Sequence, residues 1–62
     1  MNRQQILDAI KNLSFSQGFY GRLLNNIIGL RKHDNEHYES LMEDLESKKF
    51  KNVVDIVLYF ES

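Results

Sequence analysis

Residues 14–24 decide how this chain folds, and they read Ser-Phe-Ser-Gln-Gly-Phe-Tyr-Gly-Arg-Leu-Leu. The segment places two glycines and three aromatic side chains in a chain whose other apolar residues have helical spacing. A glycine inside a helix costs about 1 kcal/mol relative to alanine. Gly18 and Gly21 therefore indicate either the start of a helix or a surface that another backbone approaches closely. Neither interpretation names a chemical reaction.

Apolar residues recur at the i, i+3, i+4, i+7 spacing of amphipathic helices along most of the chain. This pattern predicts an all-α fold, a small bundle of four short helices over residues 3–13, 15–31, 35–48 and 52–61. Asn2 and Gln5 have the spacing of a capping box before the first helix, and Ser14 and Gln17 have the same spacing before the second. Asp34 or Asn35 is expected to cap the third helix.

The last segment, residues 53–60, is rich in side chains that favour strands. Asn52 followed by Asp55 nevertheless has the spacing of an N-cap with an acid in the first helical turn. A lone strand would have no pairing partner in a helical chain, so we expect a helix. Its apolar surface is wide, which is typical of a helix at the centre of a bundle or of one half of a dimer interface.

The composition limits the possible classes of protein. Sixty-two residues form one domain, residues 1–62, whose core is small, so self-association would add to its stability. The absence of cysteine excludes disulfides and thiolate metal sites. A net charge of −1 gives no overall attraction to nucleic acid or anionic membranes. No apolar run could span a bilayer and the first residues do not resemble a signal peptide, so we expect a cytoplasmic protein without a membrane partner.

No residue pattern indicates catalysis. His33 and His37 have the four-residue spacing of zinc-binding histidines, but Asp34 stands where such sites have glutamate, and the pair straddles a predicted helix start. No further histidine and no cysteine could complete the site. We expect two solvated histidines, and we predict no metal, no cofactor and no catalytic residue. The chain is predicted not to be an enzyme.

The second helix carries the stronger candidate for a binding surface. Small or polar residues recur on one side of it, and we name them the glycine stripe: Gly18, Gly21, Asn25 and Gly29. Either a partner helix approaches this stripe, or the first or last helix of the same chain fills the space. Tyr20 and Arg22 flank the stripe and Tyr59 lies on the final helix, and such residues are enriched at interface hot spots. These seven residues are the predicted partner-binding set.

A small DNA-binding regulator of the helix-turn-helix type is the alternative function. Basic residues cluster at 31–32 and at 48–51, and this alternative requires both clusters on one face. Every charge from Asp34 to Glu46 is acidic, however, so the third helix would be repelled by phosphates. The acidic helix disfavours nucleic acid as a partner.

Two segments resemble known sequences: residues 16–24, Ser-Gln-Gly-Phe-Tyr-Gly-Arg-Leu-Leu, and residues 50–61, Phe-Lys-Asn-Val-Val-Asp-Ile-Val-Leu-Tyr-Phe-Glu. Both are similar to stretches of small uncharacterised proteins of gut and other Gram-positive bacteria and their mobile elements. That group has no established activity, so the resemblance implies a bacterial or phage cytosolic context and nothing catalytic. We expect a small non-enzymatic interaction module that binds another protein or forms a homodimer.

Overall fold

Four α-helices make up the computed structural model, which describes residues 1–62 and contains no strand. The helices are α1 (Arg3–Ser14), α2 (Gly18–His33), α3 (Asn35–Ser47) and α4 (Val53–Glu61). The predicted all-α fold is confirmed, and the strand-favouring C-terminal segment is a helix. No helix combines the length and the apolar character that a membrane span requires.

Three of the predicted helix starts are capped as their sequences indicate. The Asn2 side chain accepts from the Gln5 N–H at 2.9 Å, and the Gln5 side chain accepts from the Asn2 N–H at 2.9 Å, which is a complete capping box. The Asp34 carboxylate accepts from the His37 N–H at 3.2 Å, so this single residue both ends α2 and begins α3. The Asn52 side chain accepts from two first-turn amides of α4.

The predicted capping box at Ser14 and Gln17 is wrong. Ser14 is the last residue of α1, and its hydroxyl donates to the Lys11 carbonyl of its own helix. Because α1 extends this far, residues 15–17 form the turn and α2 begins only at Gly18. Gln17 is the N-cap by its extended backbone (φ −138°, ψ 122°), but its side chain caps nothing.

The core lies between α1, α2 and α3, which pack against one another. Ten residues are buried: Ile6, Ala9, Ile10, Tyr20, Ile27, Tyr38, Met42, Leu45, Phe50 and Ile56. Ile56 is the only buried residue of α4. The final helix is therefore an edge element of the bundle and not its centre.

Aromatic side chains attach α4 to the rest of the bundle. The ring centroid of Phe60 lies 6.4 Å from that of Phe19 and 6.4 Å from that of Tyr20. The Tyr20 hydroxyl donates to Glu61 Oε2 at 2.9 Å. Further along, the Tyr59 ring lies 5.6 Å from that of Phe50, in the loop before α4. The C-terminal end of α4 is thus held to the beginning of α2.

An ion-pair cluster joins α1 to α3. The Arg3 guanidinium donates to Glu39 through Nη1 and to Glu46 Oε1 through Nε, the latter at 3.1 Å. The hydrogen bond that Arg3 donates to Glu39 is the main reason that the pKa of Arg3 lies above its ordinary value. The guanidinium also lies over the Tyr38 ring, 5.6 Å from its centroid. Arg3 therefore has a structural role.

Candidate protein-interaction surface

Large apolar side chains are exposed on α4 and around the turn between α1 and α2. Phe15 in that turn is 80% exposed, and Leu58 and Val54 of α4 are 62% and 58% exposed. Phe19, Val53 and Tyr59 are also exposed. A single exposed leucine is ordinary on a folded protein, but a concentration of exposed apolar side chains on one helix is typical of interaction surfaces.

The apolar residues of α4 divide between two sides of the helix. Ile56 is buried and Val57 and Phe60 are partly buried against the core. Val54 and Leu58 are four residues apart, so they share one side, and both face solvent. The sequence shows that α4 is apolar nearly all round, and the structure assigns these two side chains to the outer side.

Opposite charges lie at the two ends of this outer side. Glu61 follows Leu58 by three residues and is exposed at the C-terminal end of α4, where its Oε2 accepts from the Tyr20 hydroxyl. Lys51 precedes the helix, and its backbone N–H donates to Asp55 Oδ2 at 2.8 Å, which holds this residue close to the first turn. We name Lys51, Val54, Leu58 and Glu61 the α4 outer face.

Tyr20, predicted to contact a partner, lies in the core. Its side chain is fully buried, and its ring lies edge-on to that of Phe19 at 5.1 Å between centroids. Burial, and secondly the hydrogen bond to Glu61, raise the pKa of Tyr20 above its ordinary value. A partner cannot touch this ring without unfolding the site. Burial therefore removes Tyr20 from the predicted contact set. The residue instead positions its neighbours Phe19 and Glu61.

Most of the space beside the glycine stripe is not filled by another helix of the same chain. A Cβ atom built on Gly18 or on Gly29 would meet no atom within 4 Å, and one on Gly21 would lie 4.0 Å from the Ser14 Cβ. Asn25 is exposed. The first helix of the same chain thus borders the stripe at Gly21, and the stripe is open at its other two glycines. By itself this openness does not identify a binding site.

The two remaining residues of the predicted set differ in their surroundings. Arg22 is exposed and takes no part in the ion pairs of the structure. Tyr59 is partly covered, because its ring contacts Phe50 and lies 5.3 Å from the Lys48 ammonium. The predicted set is thus split between α2 and α4, and the structure does not bring it together as one surface.

A shallow groove of about 300 Å³ lies between α1 and α2. Apolar side chains and polar or charged ones line it in equal number: Gln4, Leu7, Asp8, Lys11, Leu24, Ile27, Ile28 and Arg31. The groove can accept a few apolar side chains.

The two histidines do not form a metal-binding pair. His33 is the last residue of α2 and His37 lies in α3, so the four-residue spacing is not that of a single helix. His37 Nδ1 lies 3.8 Å from Asp34 Oδ2. Nowhere in residues 1–62 do three histidine, cysteine, aspartate or glutamate side chains come together as metal ligands.

The basic clusters lie at opposite ends of α3. Arg31 and Lys32 are in the last turn of α2, immediately before α3, whereas residues 48–51 follow it. A helix of the length of α3 spans about 20 Å. Its exposed acids, including Glu43 and Asp44, lie between the two clusters. This arrangement does not supply the continuous basic surface that the DNA-binding alternative requires.

Comparison with known proteins finds no matching family model, no matching curated protein and no matching solved structure. The resemblance of residues 16–24 and 50–61 to bacterial and mobile-element proteins stays a prediction.

Proposed function

We propose that this chain is a small non-enzymatic protein–protein interaction module whose contact surface is centred on the α4 outer face. The observation that carries the proposal is the exposure of Val54 and Leu58, at 58% and 62%, on a helix with one buried residue. Burying apolar surface is worth about 25 cal/mol per Å². A partner that covers Val54 and Leu58 removes their apolar surface from water, and this burial favours binding.

The distribution of perturbed ionisable groups supports a non-enzymatic role. Catalytic groups cluster where burial and neighbouring charges shift their pKa values. In this chain the shifted groups are Arg3 and Tyr20, and each makes a contact that joins two helices. Neither lines a groove of the structure. The resemblance to bacterial and mobile-element proteins supports a cytoplasmic setting for the module.

Site-specific photo-crosslinking in the producing cells tests the proposal. A benzophenone amino acid replaces Leu58 in one variant and Gly29, in the open part of the glycine stripe, in a second. A third variant carries it at Glu43, an exposed position of α3, as the matched control. We expect a protein adduct at position 58 and none at position 43. Adducts at position 29 alone would move the surface to the glycine stripe, and no adduct at either position would contradict the proposal.

A further inference from the structure

We propose that the α4 outer face binds a second copy of this chain, with the two α4 helices packed antiparallel about a two-fold axis level with Ile56. This inference rests on the proposed function, because it names the partner of the same surface. It follows from three features of that surface: the spacing of its residues, the order of its charges and the absence of ion pairs that would neutralise those charges within the chain.

The first feature is the spacing. Within α4, Val54, Leu58 and Glu61 are separated by four and three residues, and Lys51 lies two residues before the helix begins at Val53. Alternation of three and four is the a/d spacing by which two helices pack along a common line. In α4 this line faces solvent at its apolar centre. The helix therefore presents a second packing face in addition to the one that holds it to the bundle.

The second feature is the order of the charges. Val54 and Leu58 lie two residues to either side of Ile56, and Lys51 and Glu61 lie five residues to either side of it. Antiparallel packing about this level brings Val54 of one copy against Leu58 of the other, and Lys51 of one copy towards Glu61 of the other. A parallel arrangement would bring like charges together, which is destabilising. The surface is thus complementary to itself in one orientation, as a two-fold symmetric interface requires.

The third feature is that neither charge is neutralised by an ion pair within the chain. Lys51 takes no part in the ion pairs of the chain, and its backbone is tied to the first turn of α4 through Asp55. Glu61 uses Oε2 to accept from the Tyr20 hydroxyl, which leaves Oε1 for a cation. Groups that are already ordered lose less entropy on binding. A net charge of −1 also means that two copies repel each other little.

The size of α4 determines how strong this dimer is. A pair of nine-residue helices buries less surface than the roughly 1,200–2,000 Å² of stable complexes. We therefore expect a reversible dimer with a Kd in the range of roughly 10 µM to 1 mM. The neighbouring exposed rings of Phe19 and Tyr59 can add to the buried area.

A mixing experiment with charge-reversed variants tests the proposal. Sedimentation equilibrium is measured for the wild-type chain, for Lys51→Glu, for Glu61→Lys and for their equimolar mixture. In a dimer of either variant alone, like charges face each other at both ends of the α4 pair. We therefore expect the Kd of each variant to rise about tenfold. In the mixed dimer both contacts join opposite charges, one as the native Lys51–Glu61 pair and one with reversed sign, and we expect a Kd within a few-fold of the wild-type value. A mixture as weak as either variant alone would overturn the charge pairing.

A second pair of variants keeps the test decisive if Glu61→Lys, which also loses the Tyr20 contact, fails to fold. Leu58→Ser changes an exposed side chain, so the monomer should keep its helical circular dichroism while the dimer is lost. Phe15→Ser, at the other highly exposed position, is the control and should dimerise as the wild type does. Dimerisation that survives Leu58→Ser, or that is lost in Phe15→Ser, would overturn the assignment to α4.

The outcomes for this inference and for the proposed function are separable. A wild-type chain that stays monomeric at roughly 2 mM overturns the second copy as the partner. If position 58 still crosslinks to a different protein in cells, the interaction module remains and its partner is that protein. If neither a dimer nor an adduct is found, both are overturned.

Discussion

Tyr20 holds the end of α4 on the start of α2, and a single substitution isolates the polar part of that attachment. The side chain is fully buried, its ring lies 5.1 Å from that of Phe19 and its hydroxyl donates to Glu61 Oε2 at 2.9 Å. Tyr20→Phe keeps the ring contacts and removes only this hydrogen bond. The change in the free energy of unfolding therefore measures the contact between the hydroxyl and the carboxylate.

The expected magnitude follows from the surroundings of the two groups. A typical hydrogen bond contributes about 0.5–1.5 kcal/mol net, and one to a charged group about 1.5–3 kcal/mol. Glu61 is exposed, so water replaces the lost donor, and phenylalanine leaves no unpaired polar atom in the core. We therefore expect a loss of about 1 kcal/mol, which lowers Tm by about 4–8 °C in a domain of this size.

Thermal and urea denaturation followed by circular dichroism measure this loss, at protein concentrations low enough to keep the chain monomeric. Tyr59→Phe is the matched control, because no hydrogen bond of the Tyr59 hydroxyl occurs in the structure and the side chain is partly exposed. It should leave the free energy of unfolding nearly unchanged. Equal effects of the two substitutions, or no effect of Tyr20→Phe, would refute the role of Tyr20 in holding α4.

The alkaline side of the stability profile gives an independent measurement on the same residue. Burial, followed by the contact with Glu61, raises the pKa of Tyr20 in the folded chain. In the unfolded chain the group ionises near its ordinary pKa of about 10, so at higher pH the unfolded state binds fewer protons than the folded state. The stability that the raised pKa of Tyr20 contributes is fully present below pH about 10 and is lost as the pH rises through the pKa of the folded state. Tyr20→Phe should reduce the alkaline decline in stability, and Tyr59→Phe sets the comparison. An unchanged decline would contradict the assignment.

Three further substitutions test separate features of the fold. Gly29→Ala should raise the free energy of unfolding by about 1 kcal/mol in urea denaturation, because alanine favours the helix and its Cβ would meet no atom within 4 Å. A lower free energy of unfolding would indicate that another chain contacts the stripe. Lys49 has a φ of 55°, a left-handed conformation that costs a residue with a side chain about 1–2 kcal/mol. Lys49→Gly removes this strain and costs about 0.5–1 kcal/mol in backbone entropy, so we expect it to stabilise the fold. A lower Tm for that variant would contradict this reasoning. Arg3→Ala should lower Tm at low salt, and the difference should shrink in about 1 M NaCl, where charges are screened within about 3 Å. A difference that does not depend on salt would argue against the ion pairs with Glu39 and Glu46.

The helices could be predicted because their signals are local. The Asn2–Gln5 capping box, the Asp34 cap and the Asn52 cap each act over three residues, and each is formed as the sequence indicates. The same local rule failed at Ser14, where two interpretations compete. The Ser14 hydroxyl could cap the following helix or donate to a carbonyl of the preceding one. In the structure α1 continues through Ser14, which is half-buried, and the hydroxyl donates to the Lys11 carbonyl.

The orientation of α2 could not be predicted, because its apolar residues cover more than one side. Phe19 and Tyr20 are adjacent, and the spacing of the helix allows either to face the core. The structure buries Tyr20 completely and leaves Phe19 44% exposed, since Phe60 and Glu61 of α4 receive the tyrosine. That outcome depends on a helix forty residues away in the chain. For this reason Tyr20 was wrongly predicted as a partner contact.

The α4 outer face was only half visible in the sequence. Its apolar width predicted a helix either central to the bundle or half of a dimer interface, and the single buried residue removes the first option. Which side of the helix faces solvent depends on the packing of Ile56 and Phe60, which no local pattern specifies. Only when Val54 and Leu58 are known to face outward does the order of the charges of Lys51 and Glu61 indicate an antiparallel pair of α4 helices.

Disulfide trapping is the most direct test of the antiparallel α4 pair, because the chain has no cysteine of its own. Val54→Cys and Leu58→Cys are oxidised separately and as an equimolar mixture, and the covalent dimers are quantified. The two-fold arrangement places position 54 of one copy against position 58 of the other. We expect the mixture to form the mixed disulfide faster than either variant forms its own. Faster trapping of each variant with itself would indicate a parallel pair, and no trapping in any sample would contradict dimerisation through α4.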